Sequence, residues 1–319
     1  MLKSALGAGL LTFPWAFEKA GGIHLAVTVE LASRCISLVF LISGLVILGY
    51  SSSISGQNTY QAVVTYMCGP SLGKLCEICY VFNLFIISVA FLVIVADQLE
   101  TLCISMYELI TGLPESEMPY HCVIGTFAAA YLTVAITVKY HTRPVHEINL
   151  SPIYSSGSMK NRNLSHWVFI SVVSMFICLI IYSLTGIYGY LTFGKNVAPD
   201  ILMSYSGGDV TMIIARLLFG ISIITIYPII VLLGRSVIQD PLLKRRRKHT
   251  VVTESYESRT RIALTTVWVT VTLLIAVFVP DISKVISVVG GISAFFIFIF
   301  PGLCLIFAVQ SESVSPTLR

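Results

Sequence analysis

Two glycines and a proline interrupt an otherwise apolar run at Lys3-Ser4-Ala5-Leu6-Gly7-Ala8-Gly9-Leu10-Leu11-Thr12-Phe13-Pro14. A helix in hydrocarbon must satisfy its own backbone hydrogen bonds, so interruptions survive where the backbone faces protein or a polar cavity. Broken helices of this kind hold substrates and ions through helix-end dipoles and freed carbonyls. Gly7-Ala8-Gly9 reads equally as a surface for close helix packing. A second group, Ser222-Ile223-Ile224-Thr225-Ile226-Tyr227-Pro228, sets two hydroxyls about one turn apart before a proline that cannot donate to the helix ladder. Hard cations take oxygen ligands, so Ser222 and Thr225 form a candidate sodium surface. Such hydroxyls also bond back to their own helix or across to a neighbour.

Ionisable residues inside apolar runs are costly and stand as functional hypotheses; here they are Glu30, Arg34, Asp97, Glu100 and Arg216. Glu30 and Arg34, four apart on one helical face, are expected to pair. Asp97 and Glu100 read as the solvated end of a span, and Arg216 as a side chain reaching out to the interface. Cys76-x-x-Cys79 has metal or redox spacing but no second pair or histidine cluster, so it reads as packing. Cys103 and Cys122 flank one polar stretch and could bridge. Gly290-Gly291 reads as a close packing point and Pro280-Asp281 as a tight turn. There is no G-x-S-x-G, no H-E-x-x-H and no phosphate-binding glycine loop. The residues therefore support neither an enzyme nor a resident cofactor.

The elements that must position these groups are membrane spans. Of the 319 residues, 56% are apolar and 11% charged, with mean hydropathy +0.87; an ordinary soluble domain has about 25% charged residues. Runs near the ~20 residues that a bilayer requires occur at 2–17, 25–50, 78–95, 122–138, 167–193, 210–233, 262–279 and 285–309. They predict an all-α polytopic bundle in the lipid bilayer, with one transmembrane domain over 1–310 and a cytoplasmic tail at 311–319. With the N-terminus in the cytosol, the inner loops 51–77, 139–166 and 234–261 carry thirteen Lys and Arg; the outer ones carry only Lys19, Lys195 and Lys284. That bias places both termini in the cytoplasm. On this placement the sequons at Asn149 and Asn163 are cytoplasmic and unmodified. Nothing at the N-terminus reads as a removable signal peptide. The net charge of +4 is concentrated in Lys244-Arg245-Arg246-Arg247-Lys248, a pattern of membrane orientation or anionic-lipid contact, and nucleic acid is a poor partner.

Leu6-Gly7-Ala8-Gly9-Leu10-Leu11 with Phe13-Pro14 and Ala20-Gly21-Gly22 resembles the first broken helix of the sodium-coupled neutral amino acid transporters, solute carrier family 38, within the amino acid/auxin permease group. Ile42 to Leu48, Tyr188 to Gly194, Pro280 to Val288 and Phe300 to Leu305 extend the resemblance over most of the chain. It is closest to the glutamine-transporting branch of members seven and eight. It implies a LeuT-type five-plus-five inverted repeat with substrate and ion between the first, sixth and eighth helices. By position it implies Ser4, Gly7, Gly9 and Leu10 as substrate or ion contacts and Ser222 and Thr225 as cation ligands. Lys3 stands where many members place a sodium-binding asparagine; its ammonium could replace the ion, leaving protons or no ion to drive transport. Against the family's eleven spans the chain reads as lacking the fourth, sixth and last helices and the front of the first. Two functions follow as expectations. One is sodium- or proton-coupled symport of neutral amino acids, glutamine above all, in the plasma membrane or alternatively the lysosomal membrane. The other is a transport-incompetent binding or regulatory partner of a full-length transporter.

Overall fold

The computed structural model describes residues 8–21, 31–57, 59–111, 164–205, 209–247, 254–279 and 282–311. The regular elements among them are all helical: α1 Phe13–Lys19, α2 Leu31–Ser55, α3 Tyr60–Cys68, α4 Pro70–Thr111, α5 Leu164–Phe193, α6 Val210–Arg247, α7 Glu254–Phe278, α8 Ile282–Ala294 and α9 Phe300–Ser311. Short 3-10 turns lie at Ala8–Leu10, Gly194–Asn196 and Ile201–Ser204, and a π turn at Phe295–Ile299 joins α8 to α9.

Six described segments are long and apolar enough to cross a membrane: Ile36–Ser55, Pro70–Tyr107, Ser165–Asn196, Val210–Leu243, Ser255–Phe278 and Lys284–Gln310. They overlap six of the apolar runs in the sequence. The run at 122–138 lies outside the described residues, and that at 2–17 is described only from residue 8. The helices outrun the apolar stretches. The 42 residues of α4 extend roughly 60 Å at the helical rise, about twice the hydrocarbon thickness. In Ile36–Ser55 and Ser165–Asn196 only 11% of the most apolar window is buried, and Phe40, Phe169, Phe176 and Leu184 are exposed. In water such faces would be an association liability; against lipid tails they are solvated.

The described residues divide into two compact units. The first comprises those within Met1–Tyr80, Ile148–Gly194 and Gly290–Arg319. Its core joins Leu48 of α2, Val63, Val64 and Met67 of α3, Cys76 of α4, and Phe300, Cys304 and Ala308 of α9. Cys76 thus packs as a small hydrophobe. Gly69 takes φ +89 between α3 and α4, a left-handed turn that glycine supplies without a Cβ clash, and Pro70 starts α4 where a missing N–H costs nothing. Where α8 meets α9, Phe300 N–H donates five residues back to the Phe295 carbonyl. The next donor in that pattern would be Pro301, which has no N–H. The Phe296 carbonyl instead accepts from the Tyr60 hydroxyl at 3.1 Å. Gly44 of α2 lets the Ile297 carbonyl approach to 2.8 Å of where a Cβ would sit.

The close packing expected at Gly290-Gly291 is not found, for both are exposed and an added Cβ would meet nothing within 4 Å. Gly44, Gly73, Gly186 and Gly234 make the close approaches instead, opposite the Ile297 carbonyl and the Thr65, Phe17 and Trp268 side chains.

The second unit comprises the described residues within Val81–Glu147 and Lys195–Val289. Here α6 and α7 run antiparallel. Tyr227 Oη and Thr272 Oγ1 share a hydrogen bond at 3.1 Å, the Trp268 indole fills the notch at Gly234, and Arg246 donates to Tyr256 Oη at 2.8 Å. Trp268 Nε1 also donates to Ser88 Oγ of α4 at 3.1 Å.

Candidate substrate and ion site

The interrupted N-terminal stretch belongs to the first unit. The 3-10 turn Ala8–Leu10 ends at a turn over Leu11 and Thr12, and α1 begins at Phe13 with Pro14 in its first turn. Thr12 Oγ1 donates to the Gly9 carbonyl at 3.1 Å. A carbonyl oxygen has two lone pairs, so this bond leaves Gly9 one for a further partner. Helix α5 fixes the stretch: Phe17 enters the notch left by Gly186, and the Phe13 and Tyr182 rings meet edge to face at 4.8 Å. An added Cβ at Gly9 would lie 3.8 Å from Tyr182 Oη, an ordinary contact. Gly9 and Leu10 are half-buried. Lys3, Ser4 and Gly7 lie outside the described residues, as do Glu30 and Cys122.

Ser222 and Thr225 belong to the second unit, on α6. Thr225 Oγ1 donates to the Ser222 carbonyl at 2.7 Å, and Pro228 follows three residues later. The hydroxyl proton is therefore turned into the helix. Its oxygen lone pairs remain to act as acceptors or cation ligands.

A buried polar cluster of which the sequence singled out only Arg216 lies in the same unit. Asp200, 2% exposed, caps the Ile201–Ser204 turn. It accepts the Leu202 N–H at 2.9 Å and Gln98 Nε2 of α4 at 2.6 Å. Arg216 is wholly buried rather than reaching out to the interface. Its Nη2 donates to the Leu202 and Tyr205 carbonyls at 2.8 and 2.9 Å, and Nη1 to Ser105 Oγ at 3.4 Å. The connection before α6 folds back over the helix, so carbonyls hold the guanidinium where water otherwise would. Burial pushes the Asp200 carboxyl up to about 6, opposed by the Leu202 N–H, Gln98 and the Arg216 charge. Such an acid takes up a proton at mildly acidic pH. Arg216 stood out as a charge in an apolar run, whereas Asp200, which caps the Ile201–Ser204 turn, was not singled out. Gln98, 102 residues from its partner, carries no local signal.

Glu100 is exposed and Asp97 half-buried on α4, which continues beyond both to Thr111. Among the described residues no group of three or more His, Cys, Asp or Glu is placed to hold a metal ion.

The family described as transmembrane amino acid transporter protein matches residues 1–138 and 146–316. A Homo sapiens protein, solute carrier family 38 member 8, is 45% identical over 382 positions covering 100% of this chain and 86% of its own length. The chain belongs to solute carrier family 38. A second family member, a Xenopus tropicalis protein provisionally named sodium-coupled neutral amino acid transporter 8, is 53% identical over 377 positions, 99% of this chain and 84% of that protein. Sodium-coupled neutral amino acid transporter 7 of Danio rerio is 35% identical over 98% of this chain and 78% of its own length. These alignments run longer than the 319 residues of this family member, so the relatives carry internal residues with no counterpart here. No solved structure matches. The family is one of membrane transporters rather than enzymes, in keeping with the six apolar helical segments.

Proposed function

We propose that the chain is a secondary transporter of neutral amino acids, glutamine above all, working by alternating access with sodium or protons as the coupling ion. The observation that carries this reading is the 53% identity over 99% of the chain to a relative named as a sodium-coupled neutral amino acid transporter. The interrupted backbone at Ala8–Thr12 agrees with it, since freed carbonyls beside a helix start are what a zwitterionic substrate and its ion require. On this reading Ser4, Gly7, Gly9 and Leu10 contact substrate or ion, and Ser222 and Thr225 offer oxygens to a cation. Lys3 substitutes for sodium and shifts coupling toward protons. The membrane is the plasma membrane in preference to the lysosomal one. Uptake of labelled glutamine into proteoliposomes under an imposed sodium or proton gradient tests it. Saturable uptake driven by a sodium or a proton gradient is the expected result, with stronger sodium dependence in Lys3→Asn; uptake equal to that of empty liposomes refutes it.

A second reading has its own observation. The alignment to the Homo sapiens relative spans 382 positions against the 319 residues of this chain, an excess with room for two spans of ~20 residues and their connections, and the family match is interrupted between 138 and 146. By resemblance the chain lacks the sixth helix, half of the family's central site. A chain without it would bind a full-length transporter as a regulatory partner instead of carrying substrate itself.

A further inference from the structure

The end of α6 and the start of α7 bring together four polar side chains that neither reading uses. The contacts Tyr227 to Thr272, Gly234 to Trp268 and Arg246 to Tyr256 fix the antiparallel register of the two helices. That register sets Arg235 level with Thr265, and Gln239 level with Arg261. Each pair along one helix is four residues apart, hence on one face. All four are buried: Arg235 is 0% exposed, Gln239 4%, Arg261 8% and Thr265 1%.

None of the three guanidinium nitrogens of Arg235 has a hydrogen-bond partner among the described residues, nor do Gln239 Oε1 and Thr265 Oγ1. Among the described residues the charge acting on Arg235 is the like charge of Arg261. Among the described residues Arg261 has one ion pair, a long one to Glu257 Oε1 at 3.9 Å, at the outer edge of the group. Two guanidinium groups held together in a buried place need an anion, because an uncompensated buried charge is strongly destabilising.

We propose that Arg235, Gln239, Arg261 and Thr265 form a binding site for a phosphate group. A carboxylate offers two oxygens and satisfies one guanidinium fork. A phosphate offers enough oxygens to meet the Arg235 fork, the Thr265 hydroxyl and the Gln239 amide turned inward, with Arg261 closing the outer side. Lys244 to Arg247 follow on the same helix, with Lys248 next in sequence, and these charges raise the local concentration of anions. The phosphate belongs either to a free ion or to the headgroup of a membrane lipid.

The full chain in nanodiscs distinguishes these sources. One arm titrates inorganic phosphate onto discs of phosphatidylcholine; the other adds phosphatidic acid to the discs, with native mass spectrometry reading retained lipid. We expect the unfolding midpoint to rise by several degrees and saturate in one arm, which names the source. Arg235→Met should abolish that rise and also raise the anion-free midpoint, since it removes an uncompensated charge. Should Arg235→Met fail to fold, Thr265→Val carries the test by weakening the anion response about tenfold, the worth of roughly one hydrogen bond to a charged group. No shift in either arm overturns the proposal. So does an equal shift in wild type and Arg235→Met, which is general salt stabilisation, or a lowered anion-free midpoint in Arg235→Met, which means that the chain itself supplies the counter-charge.

Discussion

Asp200 shows how a single buried carboxyl converts pH into stability. Its folded pKa of about 6 lies above the unfolded 3.8, so proton binding favours the folded unit. The contribution is fully present below the unfolded value and is lost as pH rises through 6. A shift of that size corresponds to roughly 3 kcal/mol. Melting curves of wild type and Asp200→Asn between pH 4 and pH 7.5 should therefore converge at high pH less closely than at low pH, wild type gaining on the variant as pH falls. A difference that stays flat with pH would show that Asp200 does not titrate in the folded chain. Gln98 tests the same cluster from the other side. In Gln98→Leu the carboxylate loses its 2.6 Å donor, and the buried group left short of a partner should cost about 1–3 kcal/mol, read as a lower unfolding midpoint at pH 7.

At the scale of elements, the junction of α8 and α9 is held by a replacement for the N–H that Pro301 lacks. Tyr60→Phe removes the hydroxyl that reaches the Phe296 carbonyl and should destabilise by about 1–3 kcal/mol. Pro301→Ala restores a backbone donor at that place, so the double variant should be less destabilised than the two single effects added together. Strict additivity in this cycle would refute the coupling. Helices were the most legible part of the sequence because a bilayer demands long apolar runs, and six of those runs overlap described segments. Their ends were not legible. The apolar runs read from the sequence stop at 95 and 233, whereas α4 continues to Thr111 and α6 to Arg247 through stretches that mix polar and apolar residues. The packing glycines misled for a similar reason. Gly290-Gly291 and Gly44 look alike in sequence, and only the Ile297 carbonyl opposite Gly44 separates them. In the candidate site, Ser222 and Thr225 could be paired by spacing, whereas the link between Gln98, Asp200 and Arg216 depends on chain crossings with no local pattern.

For the whole molecule, the exposed apolar faces of α2 and α5 make lipid part of the folding environment, and family membership makes transport the function to test. The proposed carrier must expose one site alternately to the two sides of the membrane. Counterflow measures that property without depending on which ion is coupled. Proteoliposomes holding only this chain are loaded with unlabelled glutamine, and entry of labelled glutamine is followed with no ion gradient. The account predicts a transient accumulation of label that is absent from empty liposomes and abolished in Gly9→Leu, where a bulky side chain enters the interrupted backbone beside Tyr182. Label that only equilibrates, at the rate seen in empty liposomes, would contradict the account and leave the chain as a partner of a longer transporter.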